Sequence, residues 1–178
     1  MSKANINRKT AYVALLGVLA AEALALSFLE NFLPAVPGLP PGAKPGFSNI
    51  VTMFTASTLG FPSALAITLI KSLFAGLTRG LTAGLMSGAG GLLSTIVMVL
   101  LLKWKKNPFG ILGVSIASAI AHNLGQLIVA CVISGTPALA IGYGPLLLVF
   151  ALVTGAITGT LLKIILPALE KQKTALGL

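Results

Sequence analysis

Six stretches of this chain are apolar over lengths that suit a bilayer better than water. Broken at the Pro, Gly and Lys punctuation, they run over 10–33, 47–61, 63–79, 81–102, 109–134 and 145–166. A hydrocarbon core about 30 Å thick takes roughly 20 helical residues to cross. The second and third stretches are shorter and are separated only by Gly60-Phe61-Pro62, so five spans are the alternative to six. The runs are continuous and rich in Ala, Leu and Gly, without the period-2 alternation of a barrel strand. The expectation is an all-α integral membrane protein, with six transmembrane helices in one bundle and residues 1–178 forming a single transmembrane domain. The first apolar run is too long for a signal-peptide core and lacks a convincing cleavage site, so it reads as a retained helix.

Charge supports this reading and excludes others. Only 8% of the residues are charged, against about 25% in a soluble domain. The acids are Glu22, Glu30 and Glu170, and there is no Asp. The net charge of +9 comes from basic residues scattered around apolar runs, which reads as membrane topology and not as a nucleic-acid footprint. With a cytoplasmic N-terminus, Lys3, Arg8, Lys9, Lys103, Lys105, Lys106, Lys163, Lys171 and Lys173 fall inside. Only Lys44 and Arg79 fall outside. Both termini are therefore expected in the cytoplasm of a multi-pass cell-membrane protein. The connection from Pro34 to Gly46 carries five prolines, which favour an extended, stiff loop. It reads as either a plain connector or a lid over an external cavity.

Small residues recur at a spacing of four in the first, fourth, fifth and sixth spans. Gly17, Ala21 and Ala25 mark the first; Gly80, Gly84 and Gly88 the fourth. Gly113, Ala117, Ala121 and Gly125 mark the fifth, and Ala151, Gly155 and Gly159 the sixth. Such tracks let helix backbones approach closely in lipid. They serve packing within the bundle or, for one on the first span, a partner helix.

An ionisable group inside a span costs at least about 2.5–3 kcal/mol on insertion scales and is a functional candidate by default. Glu22 and Lys71 lie deep in their spans and suggest a buried ion pair. Glu30, Asn49, Arg79, His122, Asn123 and Gln126 gather on the external side in this topology. Taken singly, His122 could be a neutral imidazole bonded to a neighbouring helix, and Arg79 an anchor reaching the headgroups. Together they suit a polar or anionic organic ligand entering from outside.

Enzyme readings find little to work with. There is no GxxxxGK[ST] phosphate loop and no G-x-S-x-G elbow. One His and one Cys make a zinc or haem site improbable, and no metal or cofactor is expected. A catalytic role is not expected either.

The segment PGAKPGFSNIVTMFT following SFLENFLP, together with GVSIASAIAHNLGQLIVA, resembles the Gx transporter family, also catalogued as heptaprenyl diphosphate synthase component I. The resemblance spans nearly the whole chain, and AHNLGQ, Ala121 to Gln126, is its most specific part. The plan is also similar to the S components of energy-coupling factor transporters. That resemblance implies a subunit that captures a small organic solute from outside, with a separate transmembrane coupling subunit and ATPases. The Ala14, Gly17, Ala21 and Ala25 track would then fill the docking role. The family resemblance implies a vitamin-, flavin-, quinone- or isoprenoid-like ligand. The alternative is a membrane subunit of a prenyl or quinone biosynthetic or flavin-based redox assembly. A self-sufficient carrier is a third reading, with little support in the absence of an evident inverted repeat.

Overall fold

The computed structural model describes residues 8–32, 46–104 and 109–175, without the side chains of residues 172, 173 and 175. Six α-helices account for almost all of them: α1 (Arg8–Leu29), α2 (Ser48–Thr58), α3 (Phe61–Arg79), α4 (Leu81–Leu102), α5 (Gly110–Ser134) and α6 (Ala138–Ala175). A 3-10 turn, Glu30–Phe32, extends α1. No strand occurs among the described residues. The Pro34–Gly46 loop, and with it the lid reading, lies almost wholly outside them.

Five of the helices, all except α2, are long and apolar enough to cross a membrane. This corrects the expectation of six full spans. The helix α2 has 11 residues, or about 16 Å at 1.5 Å per residue, half of a bilayer core. Ser48 and the run from Ile50 to Ala56 are all buried. Its apolar composition therefore reflects neighbours on every side and not contact with lipid. Composition alone cannot separate those two causes. The last helix is also longer than expected. It begins at Ala138 and runs through Pro145 and Pro167, where the sequence had suggested breaks.

Side-chain contacts set the direction of each helix. Tyr12 and Ser63 are hydrogen bonded near the starts of α1 and α3, and Ser27, Glu30 and Arg79 share one cavity near their ends. The two helices are therefore parallel, and the chain returns from one end of the bundle to the other between them. Helix α4 runs back against α3, tied by Thr68 Oγ1 to Thr95 Oγ1 (2.8 Å) and by Ser72 Oγ donating to the Gly84 carbonyl (2.8 Å). Helices α5 and α6 complete the antiparallel series, with Ser115 and Thr158 hydroxyls 2.9 Å apart. The start of α1 and the end of α6 thus lie at one end of the bundle. Arg8, Lys9, Lys103, Lys163 and Lys171 belong to that end, and among the described residues Arg79 and Lys71, which line one cavity, are the Lys or Arg side chains toward the other.

Three of the four small-residue tracks pack inside the bundle. A Cβ on Gly84 would lie 2.8 Å from Gly76 Cα, and one on Gly125 would lie 2.7 Å from the Ala89 carbonyl oxygen. One on Gly155 would lie 2.7 Å from Ile116 Cα. The α3–α4, α4–α5 and α5–α6 crossings therefore depend on glycine at those points. The α1 track differs. Ala14, Gly17, Ala21 and Ala25 are all exposed, and nothing lies within 4 Å of a Cβ placed on Gly17. The buried stripe of α1 is instead Ala11, Leu15, Leu19, Ala23 and Ser27. Leu15 and Leu19 join Phe54, Ile67, Met98, Val114 and Leu162 in the central core.

Candidate functional site

At the end of the bundle away from the chain's described ends lies a polar cavity of about 40 Å³. It is lined by Ser27 and Glu30 from the end of α1, Gly46, Ser48 and Asn49 around the start of α2, and Lys71 and Arg79 of α3. Ser87 of α4 and His122 and Gln126 of α5 complete it. Each helix supplies these groups from one face. Ser27 and Glu30 are three apart, Lys71 and Arg79 about two turns apart, and His122 and Gln126 four apart.

The cavity is internally bonded. Lys71 Nζ donates to Asn49 Oδ1 at 2.8 Å and is 3.5 Å from Thr52 Oγ1. The Ser48 amide donates to Glu30 Oε1 at 3.3 Å. His122 Nε2 and Gln126 Nε2 are 3.1 Å apart, while His122 Nδ1 is buried without a hydrogen-bond partner among the described residues. Glu30 attracts both Lys71 and Arg79 electrostatically. Two cations against one carboxylate leave the site net positive. With serine hydroxyls, two amides and an imidazole, that arrangement suits an acidic or strongly polar solute.

Five of the six residues expected to bind ligand line this cavity: Glu30, Asn49, Arg79, His122 and Gln126. Asn123 does not. Its Nδ2 donates to the Leu147 carbonyl at 3.0 Å and ties α5 to α6. Adjacent residues on a helix point about 100° apart, so His122 and Asn123 face different neighbours.

The expected ion pair between Glu22 and Lys71 is also corrected. Lys71 turns to α2 and the polar cavity. Glu22 instead lines an apolar groove of about 390 Å³, with Leu19, Ala25, Leu26, Ile50, Val51, Leu161, Ile165 and Leu169. It sits beside the buried stripe of α1 and not on it. Depth in the membrane matched the two residues, but direction around the helix did not.

Sequence reasoning missed Lys71 as a cavity residue, and missed Ser27, Ser48 and Ser87. The spacing of Ser27 to Glu30 and of Lys71 to Arg79 carried the signal. No group of three or more His, Cys, Asp or Glu side chains placed to hold a metal occurs among the described residues.

Residues 19–165 match the family model described as heptaprenyl diphosphate synthase component I, and the chain belongs to that family. No curated protein and no solved structure matches the chain.

Proposed function

We propose that this member of the heptaprenyl diphosphate synthase component I family is a substrate-capturing membrane subunit of the S-component kind. It binds a small polar or anionic organic solute from the external side and depends on a transmembrane coupling subunit and ATPases for energy. The observation that carries this reading is the net-positive polar cavity at the end of the bundle opposite the basic, terminal end. Under the positive-inside rule that end faces out. The outward small-residue face of α1 supports it, because a face of Ala14, Gly17, Ala21 and Ala25 left open by the bundle allows a partner helix to approach closely. The chain has no phosphate loop of its own and is proposed to be non-catalytic.

Orientation is tested by labelling. In a Cys131→Ala background, an impermeant maleimide applied to intact cells should modify Ser134→Cys and spare Thr174→Cys. Modification of position 174 alone would reverse the topology.

Partnership is tested by co-purification. Ala21→Leu should weaken recovery of a transmembrane coupling subunit with its two ATPases, while the melting temperature of the isolated bundle stays unchanged. A lowered melting temperature would place the track in the bundle's own packing.

A second reading, a membrane subunit of a prenyl or quinone biosynthetic or flavin-based redox assembly, draws on the family description itself, which names a synthase component. Prenyl elongation commonly uses carboxylates to hold metal and diphosphate, and this chain has no Asp. Any such role is therefore proposed as that of a partner to a catalytic subunit. Co-purification separates the readings, since this one should yield a soluble synthase or flavoprotein in place of ATPases.

A further inference from the structure

The polar cavity shares two of its wall residues with a smaller neighbour. Gly46 and Asn49, which line it, also line a second cavity of about 20 Å³ deeper in the bundle. Its other walls are Ile50 and Met53 of α2, Met98 of α4, Ser115, Ser118 and Ala119 of α5, and Thr158 of α6. A single water needs roughly 10–15 Å³ of such space, so the inner cavity has room for one water or one small polar group.

Ser118 marks what belongs there. It is only 4% exposed, and its Oγ has no hydrogen-bond partner among the described residues. The hydroxyls around it are occupied. Ser115 is bonded to Thr158, and Thr158 donates onward to the Thr154 carbonyl at 2.8 Å. Elsewhere in the bundle Thr55, Thr68 and Thr154 satisfy themselves on the carbonyl four residues back. A buried hydroxyl left unmade costs about 1–3 kcal/mol, and the open space beside it is where a partner would sit. His122, one turn further along α5, lines the outer cavity. No charged side chain lines the inner cavity, so an ion there would lack a counter-charge.

We propose that the outer cavity continues past Asn49 into an inner subsite floored by Ser118, which receives a neutral hydrogen-bonding group of the captured solute. This rests on the solute-capture reading and narrows it. The solute is an elongated molecule with an acidic or strongly polar end at Lys71 and Arg79. At its other end lies one small neutral group, a hydroxyl, carbonyl or amide, that fills the inner cavity against Ser118.

Thiol reagents serve as the probes, applied from outside in a Cys131→Ala background. Neutral hydroxyethyl methanethiosulfonate should modify Ser118→Cys about tenfold faster than Ser94→Cys, equivalent to about 1.4 kcal/mol in barrier. Ser94 is a fitting reference because it is buried outside both cavities. Ala119→Cys, on the same cavity wall, should behave as Ser118→Cys does, which guards against one variant folding poorly. Adding Ser87→Trp, to obstruct the outer cavity, should return both to the reference rate. The anionic sulfonatoethyl reagent, scaled to its rate with a free thiol, should react more slowly at both positions than the neutral one. Reference-level reactivity at both positions overturns the proposal. So does reactivity indifferent to Ser87→Trp, or equal scaled rates for the two reagents. None of these results touches capture at the outer cavity, which is read separately by whether Arg79→Ala abolishes stabilisation by a bound compound.

Discussion

Lys71→Met should lower the stability of the bundle by about 3 kcal/mol, the lower end of the range for breaking a buried charge interaction. The lysine is buried, and its ammonium is held by Asn49 and Thr52 while Glu30 attracts it across the cavity. Methionine fills similar space without the charge. Its cost comes from what it leaves behind: Asn49 Oδ1 loses a charged donor, and the buried Glu30 carboxylate loses one of two nearby cations. Glu30→Gln should also destabilise, by leaving two cations without their carboxylate. Lys71→Met lowers the net charge of the site by one and Glu30→Gln raises it by one, so the double variant restores the original value. It should therefore be more stable than the sum of the two losses predicts. Thermal unfolding of the four proteins in one detergent reads this coupling directly. Strict additivity would mean that the two charges act independently.

Much of this site was legible because depth in a membrane follows from counting residues. The ends of α1, α3 and the outer part of α5 were placed at one level from span boundaries and the Lys and Arg distribution. Glu30, Asn49, Arg79, His122 and Gln126 do meet there. What counting could not supply was direction around the helix axis. Glu22 and Lys71 matched in depth, yet α2 takes the lysine and Glu22 faces a separate groove. Asn123 sits beside His122 in sequence and packs against another helix.

The fold shows the same division. Long apolar periods located α1, α3, α4, α5 and most of α6. The apolar run at 47–61 was read as a span because burial by protein and burial by lipid select the same residues. Only its shortness, 11 helical residues, separates the two. Pro145 and Pro167 suggested helix ends, but a helix whose remaining backbone bonds are intact can continue through the loss of one. The glycine tracks were visible as a spacing. Which ones were already occupied by a neighbouring helix needed coordinates, and the α1 track is the one left outward.

The second large effect concerns ligand. Arg79 is exposed at the last turn of α3 and lines the cavity, so its loss should leave helix packing untouched. A hydrogen bond from a cation to a ligand is worth about 1.5–3 kcal/mol, roughly ten- to a hundredfold in affinity. A compound present at a hundred times its Kd stabilises the folded protein by about 2.7 kcal/mol, and a hundredfold loss of affinity reduces that to about 0.4 kcal/mol.

The direct measurement is therefore a melting-temperature screen of the purified protein and its Arg79→Ala variant against vitamins, flavins and prenyl diphosphates. A compound should raise the melting temperature of the unmodified protein, and most of that rise should vanish in Arg79→Ala although the two melt alike without it. Equal stabilisation of both proteins by every active compound would contradict capture at this cavity.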